Sequence, residues 1–265
     1  MLIGIIGLGF VGSALQKSFG LKCIDMVLYD KYKNGGIGSF RNILNSTILF
    51  LCLPTKINEI KNCFNMESIE ETCNNLSKNN FKGLVVIKST IEINKTEELS
   101  NKFVNLKLCH NPEFLTARTA FEDFHNQRHI VLGKGKNCKH NDMMKLKEFY
   151  EKYYEKAEIS LCCSNESESM KLMCNSYYAA KIMIFNEFFL FCKNTGGDYN
   201  KIKNLMLKNE WINHMHTLVP GPDKKLGFGG ECLPKDSIAL CNQMEKYHSP
   251  NQVLKSVIYE NKQIR

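Results

Sequence analysis

The sequence predicts an α/β fold in which a doubly wound parallel sheet is followed by an all-helical domain. Three observations predict it: a glycine-punctuated strand-to-helix junction at the start, apolar runs that recur through the first half, and a change to helical character after Lys139. The chain opens on the apolar run Leu2-Ile3-Gly4-Ile5-Ile6, followed by Gly7-Leu8-Gly9-Phe10-Val11-Gly12 and a helical stretch over 13–19. This is a dinucleotide fingerprint. Gly7 permits the tight turn, Gly9 lets backbone approach a pyrophosphate, Gly12 allows close helix-to-strand packing, and the amides at Phe10 and Val11 face the phosphate charge. A second strand, Met26-Val27-Leu28-Tyr29, ends in Asp30. A carboxylate there accepts hydrogen bonds from the adenosine ribose and repels a 2′-phosphate, so NAD is expected over NADP. Lys31 and Lys33 follow directly and oppose that discrimination.

Further strand-like runs fall at 47–53, 84–88, 106–109 and 129–133, giving a Rossmann-type sheet with ligand-binding loops at the strand ends. Three of those ends carry polar residues: Pro54-Thr55, Ser89-Thr90 and Asn111-Pro112-Glu113. Helix is expected after Lys139 to 154, over 166–193 with Gly196-Gly197 as its C-terminal stop, and over 200–208. A Pro- and Gly-rich segment over 211–230 precedes two last helices, at 234–247 and 249–265. The division reads as a cofactor domain over 1–161 and a helical domain over 162–265.

At 265 residues and a formal charge of +8, the composition suits an enzyme acting on an anionic substrate, phosphorylated or nucleotide-linked. The basic residues are interspersed, so no nucleic-acid partner is expected. No apolar run is long enough for a bilayer, and the glycine-punctuated start is unlike a signal peptide, so no membrane partner and a cytoplasmic location are expected. Twelve cysteines in such a compartment read as thiols. There is no pair of CxxC units, and Cys162-Cys163 and Cys109-His110 lack partners at ligand spacing, so no metal is expected.

One cysteine stands apart. In Gly227-Phe228-Gly229-Gly230-Glu231-Cys232-Leu233-Pro234-Lys235-Asp236, a thiol sits between a glycine-rich turn and a helix start, with an ammonium three residues on. A helix N-terminus and a nearby cation favour the thiolate, and Pro234 fits the first helical turn. A buried, inert cysteine beside a Gly-rich loop is the alternative for this stretch taken alone.

These motifs together resemble the UDP-glucose/GDP-mannose dehydrogenase family. The residues that carry the resemblance run in order along nearly the whole chain: the Gly7 to Gly12 fingerprint, Leu53-Pro54-Thr55, Lys88-Ser89-Thr90, Asn111-Pro112-Glu113-Phe114-Leu115, Glu168-x-x-Lys171-x-x-x-Asn175, Asn186-Glu187, and the cysteine segment. The resemblance implies NAD-dependent oxidation of the C6 alcohol of a nucleotide sugar, UDP-glucose to UDP-glucuronate, through two hydride transfers without release of the aldehyde. It implies Cys232 as nucleophile, Lys171 and Asn175 as stabilisers of alkoxide charge, Asp236 and Thr90 as water-positioning groups, and Glu113 as acid/base. Pro54, Thr55, Ser89, Thr90 and Lys235 would join the cofactor site. Phe114, Leu115, Lys171, Asn175, His214, Phe228 and Gly229 would face the sugar.

Two departures are visible. Where relatives carry a second glutamate four residues after the one matching Glu113, this chain has Ala117, then Arg118. Relatives also continue into a C-terminal nucleotide-binding domain, whereas this sequence stops at Arg265, which implies a shortened form. A homodimer is expected, with the apolar stripe Val253, Leu254, Val257, Ile258 and Ile264 as its contact; packing of that stripe within one chain is the alternative. Two other functions remain open from the residues: a two-domain β-hydroxyacid-type dehydrogenase with a small substrate, and a catalytically impaired NAD or nucleotide-sugar binding protein.

Overall fold

The computed structural model describes residues 1–58, 63–116 and 118–265. Their elements, in order, are β1 (Ile3–Ile6), α1 (Phe10–Leu21), β2 (Met26–Tyr29), α2 (Phe40–Ile43), β3 (Ile48–Leu51), β4 (Ile57–Asn58), β5 (Cys63–Phe64), α3 (Glu67–Lys78), β6 (Leu84–Ile87) and α4 (Lys95–Lys102). They continue with β7 (Lys107–His110), α5 (Ala120–His125), β8 (His129–Lys134), α6 (His140–Tyr153), β9 (Glu158–Cys163), α7 (Ser164–Thr195), α8 (Tyr199–Leu207), α9 (Leu233–Lys246) and α10 (Gln252–Ile264).

Seven strands form one sheet in the order β2-β1-β3-β6-β7-β8-β9. The order reverses at β1, so the crevice beyond its C-terminal end is the natural ligand site of an open α/β sheet. The sheet is parallel except where β8 pairs antiparallel with β7. The doubly wound parallel sheet expected from the sequence is thus present with one antiparallel pair, a detail that apolar periodicity does not encode. Strands β1, β3 and β6 are buried at every residue, which is why they read as continuous apolar runs and not as alternating ones.

The chain divides into two compact units, one made of Met1–Asn58 and Phe64–Lys171 and the other containing Leu172–Arg265, so the division falls within α7. The first unit is closed on one face by aromatic packing: Phe19 meets Phe149 edge-on at 5.5 Å between centroids and Phe124 at 5.8 Å. Rings in this geometry add to the apolar burial that holds α1, α5 and α6 on the sheet.

In the second unit, α7 ends where the glycine pair begins. Gly196 adopts φ +76° and the Gly197 N–H donates to the Cys192 carbonyl, the arrangement that closes a helix C-terminus. Leu254 and Val257 of α10 are buried, and Val257 packs with Ala179, Met183 and Phe228 of the same unit. This corrects the reading of α10 as a dimer stripe: its apolar positions already have cover inside the chain, and Val253, 78% exposed, lies off that face.

Candidate active site

The fingerprint turn is built as its glycines require. A Cβ on Gly7 would fall 2.4 Å from the Cys52 carbonyl, and one on Gly12 would fall 1.8 Å from the Gly7 carbonyl, so neither position tolerates a side chain. Gly9 has open space where its Cβ would be. A cleft of about 680 Å³ borders Gly9, Phe10, Asp30, Lys33, Arg118 and Phe121. The residues therefore fit a dinucleotide: open backbone at the pyrophosphate position, helix amides beside it, and a carboxylate at the ribose position.

Asp30 is held in place by backbone. Its Oδ2 accepts from the Leu8 N–H at 2.7 Å, and its Oδ1 accepts from Tyr32 and Lys33 at 3.0 and 2.9 Å. Burial alone would raise its pKa, but these amides and the Lys33 charge outweigh it and keep the carboxyl below its usual range. Lys33 itself reaches the Leu8 carbonyl and the Ser13 hydroxyl, whereas Lys31 pairs with Glu71 on the surface. The charge next to the ribose position is thus an ionised Asp30 with one lysine turned toward the glycine turn. We expect NAD to bind at least about ten-fold more tightly than NADP, the equivalent of one unmatched like-charge contact in a partly dry site. Parallel titrations of the two cofactors measure it, and equal affinities would mean that Lys33 dominates the ribose position.

The loops at the strand ends are tied to one another. Ser89 donates to the Leu53 carbonyl at 2.6 Å, and Thr55 donates to the Thr90 carbonyl at 2.7 Å, so both hydroxyls fix the loops after β3 and β6. Pro54 is exposed and Thr90 is buried. Beside them lies a polar cluster on α7 and the loop after β7. Lys171, 3% exposed, donates to both the carbonyl and the carboxylate of Glu113, the latter at 3.3 Å. Glu113 also accepts from the Leu115 N–H at 2.6 Å. The Lys171 ammonium stands 5.1 Å from the centre of the Phe114 ring, whose face favours a cation. Leu115 is partly buried against the core of this unit, which leaves Phe114 as the more exposed of the two.

Lys88 belongs to this cluster and was not among the candidates. It is fully buried, donates to Asn111 Oδ1 at 3.0 Å and to the Pro112 carbonyl at 3.4 Å, and burial pushes it down to about 8. Asn111 Oδ1 also accepts from the Tyr150 hydroxyl at 2.6 Å. Lys88 and Lys171 thus grip consecutive carbonyls of the turn that carries Glu113. The signal was present: a lysine closing the all-buried run Leu84-Val85-Val86-Ile87 is where a charge is costly without a task.

Glu168, on the same helix as Lys171, is also buried. It accepts from the Asn94 N–H at 2.6 Å and from the Thr96 N–H and hydroxyl at 2.8 and 2.6 Å, which closes the N-terminal turn of α4. Burial pushes it up to about 7 against the lowering pull of those donors.

The second unit holds the cysteine. Cys232 is exposed at the N-cap of α9, with Pro234 in the first turn. Asp236, one turn on, has no exposed surface; it accepts from Asn175 Nδ2 at 2.6 Å and from the Lys235 ammonium at 2.7 Å. Asn175 is itself buried, so its pairing with a carboxylate is not that of a solvated helix face. His214 is exposed and only its carbonyl is engaged, by the Thr217 hydroxyl, while His216 stacks on Tyr178 at 4.7 Å. Phe228 is corrected: its ring is 2% exposed in the core of this unit, and its N–H and carbonyl are both bonded to Asn261, which leaves it nothing to offer a sugar. Gly229 lies under the Arg265 guanidinium, where a Cβ would fall 1.9 Å from Nη2.

Residues 38–154 match the model of the UDP-glucose/GDP-mannose dehydrogenase family, NAD binding domain, and residues 165–263 match that family's central domain. The chain belongs to this family. It is 34% identical over 185 residues to a UDP-glucose 6-dehydrogenase of Rickettsia felis, covering 68% of this chain and 40% of that protein. With one of Campylobacter jejuni it shares 28% identity over 223 residues, covering 82% and 53%. The chain thus spans about half the length of the curated relatives it matches. A solved UDP-glucose dehydrogenase from Pyrobaculum islandicum has the same fold, with a TM-score of 0.85 at 22% identity over 98% of this chain and 68% of that one. The stretch matched to the NAD binding domain thus falls in the first unit apart from residues 59–63. Ala117, the position of the missing glutamate, lies outside the described residues. Among the described residues no group of His, Cys, Asp and Glu could hold a metal, none of the cysteines is in a disulfide, and no helix is long and apolar enough to cross a membrane.

Proposed function

We propose that this chain carries the catalytic centre of a cytoplasmic NAD-dependent nucleotide-sugar 6-dehydrogenase, with UDP-glucose as substrate and UDP-glucuronate as product. The observation that carries the reading is that the chain holds two prepared clusters, one in each unit, each matched to one half of the chemistry. One is the buried Lys171 and Glu113 pair, and the other is Cys232 at a helix start one turn before the buried Asp236. When bound, NAD would accept one hydride, and a second NAD exchanged for the reduced first would accept the other, one for each of the two oxidations. To its binding we assign Gly7, Gly9, Phe10, Val11, Gly12, Asp30, Pro54, Thr55, Ser89, Thr90 and Lys235.

The residues divide the remaining work. Cys232 as thiolate adds to the aldehyde carbon and forms a C–S bond, giving a thiohemiacetal whose alkoxide Lys171 and Asn175 stabilise. Loss of the second hydride turns that carbon into a thioester. Water, oriented by Thr90 and Asp236 and relieved of a proton by Glu113, attacks the thioester carbonyl; the C–S bond breaks and the thiolate is restored with the carboxylate product.

Pairing of two copies into a homodimer belongs to the same proposal. Met173, Tyr177, Ile184, Phe188 and Phe191 are all exposed, and their spacing sets them along one face of α7, which a second copy would cover.

The reading is tested by offering the protein NAD with a panel of UDP- and GDP-sugars. Expected is NADH formation that is fastest with UDP-glucose. NADH formation with small β-hydroxy acids alone, or cofactor binding without turnover on any sugar, would contradict it.

A further inference from the structure

The C-terminal helix α10, expected at the sequence level to face a partner, instead reaches the turn that precedes the cysteine. Asn261 Oδ1 accepts from the Phe228 N–H at 2.7 Å, and Asn261 Nδ2 donates to the Phe228 carbonyl at 3.0 Å. One side-chain amide therefore takes both backbone groups of one residue, as a neighbouring strand would. The site is dry, with Asn261 only 8% exposed. Gly227 makes room for it: at φ +68° this residue favours glycine, and a Cβ there would lie 2.3 Å from Asn261 Oδ1. On the other side, Asn186 of α7 accepts from the Gly227 N–H at 2.9 Å while donating to the Ile182 carbonyl. Arg265, one turn beyond Asn261, donates to the Leu226 carbonyl at 3.1 Å and to Asp223 Oδ2, and its guanidinium lies over Gly229. Residues 226–229 are thus bonded or covered at every position, and the Phe228 ring is anchored in the core. A glycine-rich turn has the highest conformational freedom of any backbone. Three polar side chains and one buried ring remove that freedom just before Cys232.

We propose that Asn261 is a positioning residue for Cys232: by clamping the Phe228 peptide groups it fixes the 227–230 turn and holds the sulfur at the N-terminus of α9. The consequence is chemical as well as geometric. A helix N-terminus favours a thiolate, and a loosened turn lets the sulfur leave that position. The proposal rests on the reading of Cys232 as the nucleophile, but its test does not need turnover.

The experiment uses the full chain and the variants Asn261→Ala and Asn261→Asp, with Val253→Ala on the exposed side of α10 as control. Iodoacetamide labelling of the Cys232 peptide is followed by mass spectrometry across pH, alongside thermal melting and NAD titration. Asn261→Asp has the same shape and keeps an acceptor for the Phe228 N–H, so it retains the fold if Asn261→Ala does not. Expected is a labelling rate at neutral pH at least about five-fold below wild type in both Asn261 variants, with the pH profile of labelling moved upward, NAD affinity unchanged and the control unaffected. Where wild type turns over UDP-glucose, kcat falls by about ten-fold or more, with KM changed less. A wild-type rate and pH profile for Cys232 labelling in folded Asn261→Asp would overturn the proposal. Absence of turnover in the wild type itself would overturn the proposed function and leave the labelling result to decide the role of Asn261.

Discussion

Cys232→Ser is expected to abolish carboxylate formation, a loss on the order of 10³-fold or more, while leaving NAD binding as it is. The cofactor cleft is formed by residues of the first unit, none of which is near Cys232 in sequence. A serine hydroxyl at neutral pH is almost entirely protonated, and α9 offers no neighbouring imidazole to take its proton; its first turn carries Lys235 and Asp236, which bond each other. A hemiacetal on oxygen would also yield an ester, a less reactive acyl group than a thioester. Cys232 is exposed at an N-cap and does not fill a core, so the replacement is not expected to lower the melting temperature. Mass analysis of the product and of any covalent adduct checks this. Wild-type carboxylate production by Cys232→Ser would remove the cysteine from the mechanism.

Lys171→Met is expected to lower kcat by about 10²–10³-fold, the usual effect of deleting one donor aimed at a developing oxyanion in a dry site. The ammonium is buried and its stem is close in length to methionine, so the change preserves volume while removing the charge. Glu113 then keeps only the Leu115 N–H and loses the cation that holds its turn from one side. Lys88 still grips the Pro112 carbonyl from the other, which is why the variant is expected to fold. Lys171→Arg is not expected to restore the rate, since a planar guanidinium cannot reach the Glu113 carbonyl and carboxylate from the same point. Steady-state kinetics with NAD saturation curves separate the outcomes. An unchanged kcat in folded Lys171→Met would assign the residue to holding the Glu113 turn alone.

The sheet and the long helices were legible because each rests on a local signal: fully apolar runs for strands buried on both faces, a glycine pair for the end of α7, and Pro234 for the start of α9. The glycines of the fingerprint turn were legible because only a missing Cβ explains them: at Gly7 and Gly12 a side chain would run into neighbouring backbone. What could not be read was partnership at a distance. An amphipathic stripe specifies that a face is covered, not by what, so α10 was assigned outward although Val257 packs on Met183 of its own chain. Phe228 was assigned to the sugar because it sits in a glycine turn, and only the fold reveals that its ring is an anchor. Lys88, Glu168 and Asn261 act through hydrogen bonds to the backbone of Pro112, Thr96 and Phe228, far along the chain, and no spacing rule points to such partners.

The central claim is that one cysteine-centred site carries an alcohol to a carboxylate without releasing the aldehyde. The measurement that tests it most directly is the amount of NADH formed per UDP-glucose consumed at completion, with the sugar product identified by mass. The account predicts two NADH for each UDP-glucose and UDP-glucuronate as the product. One NADH per substrate with free aldehyde in solution would contradict it, and would place this chain among dehydrogenases that stop after a single oxidation.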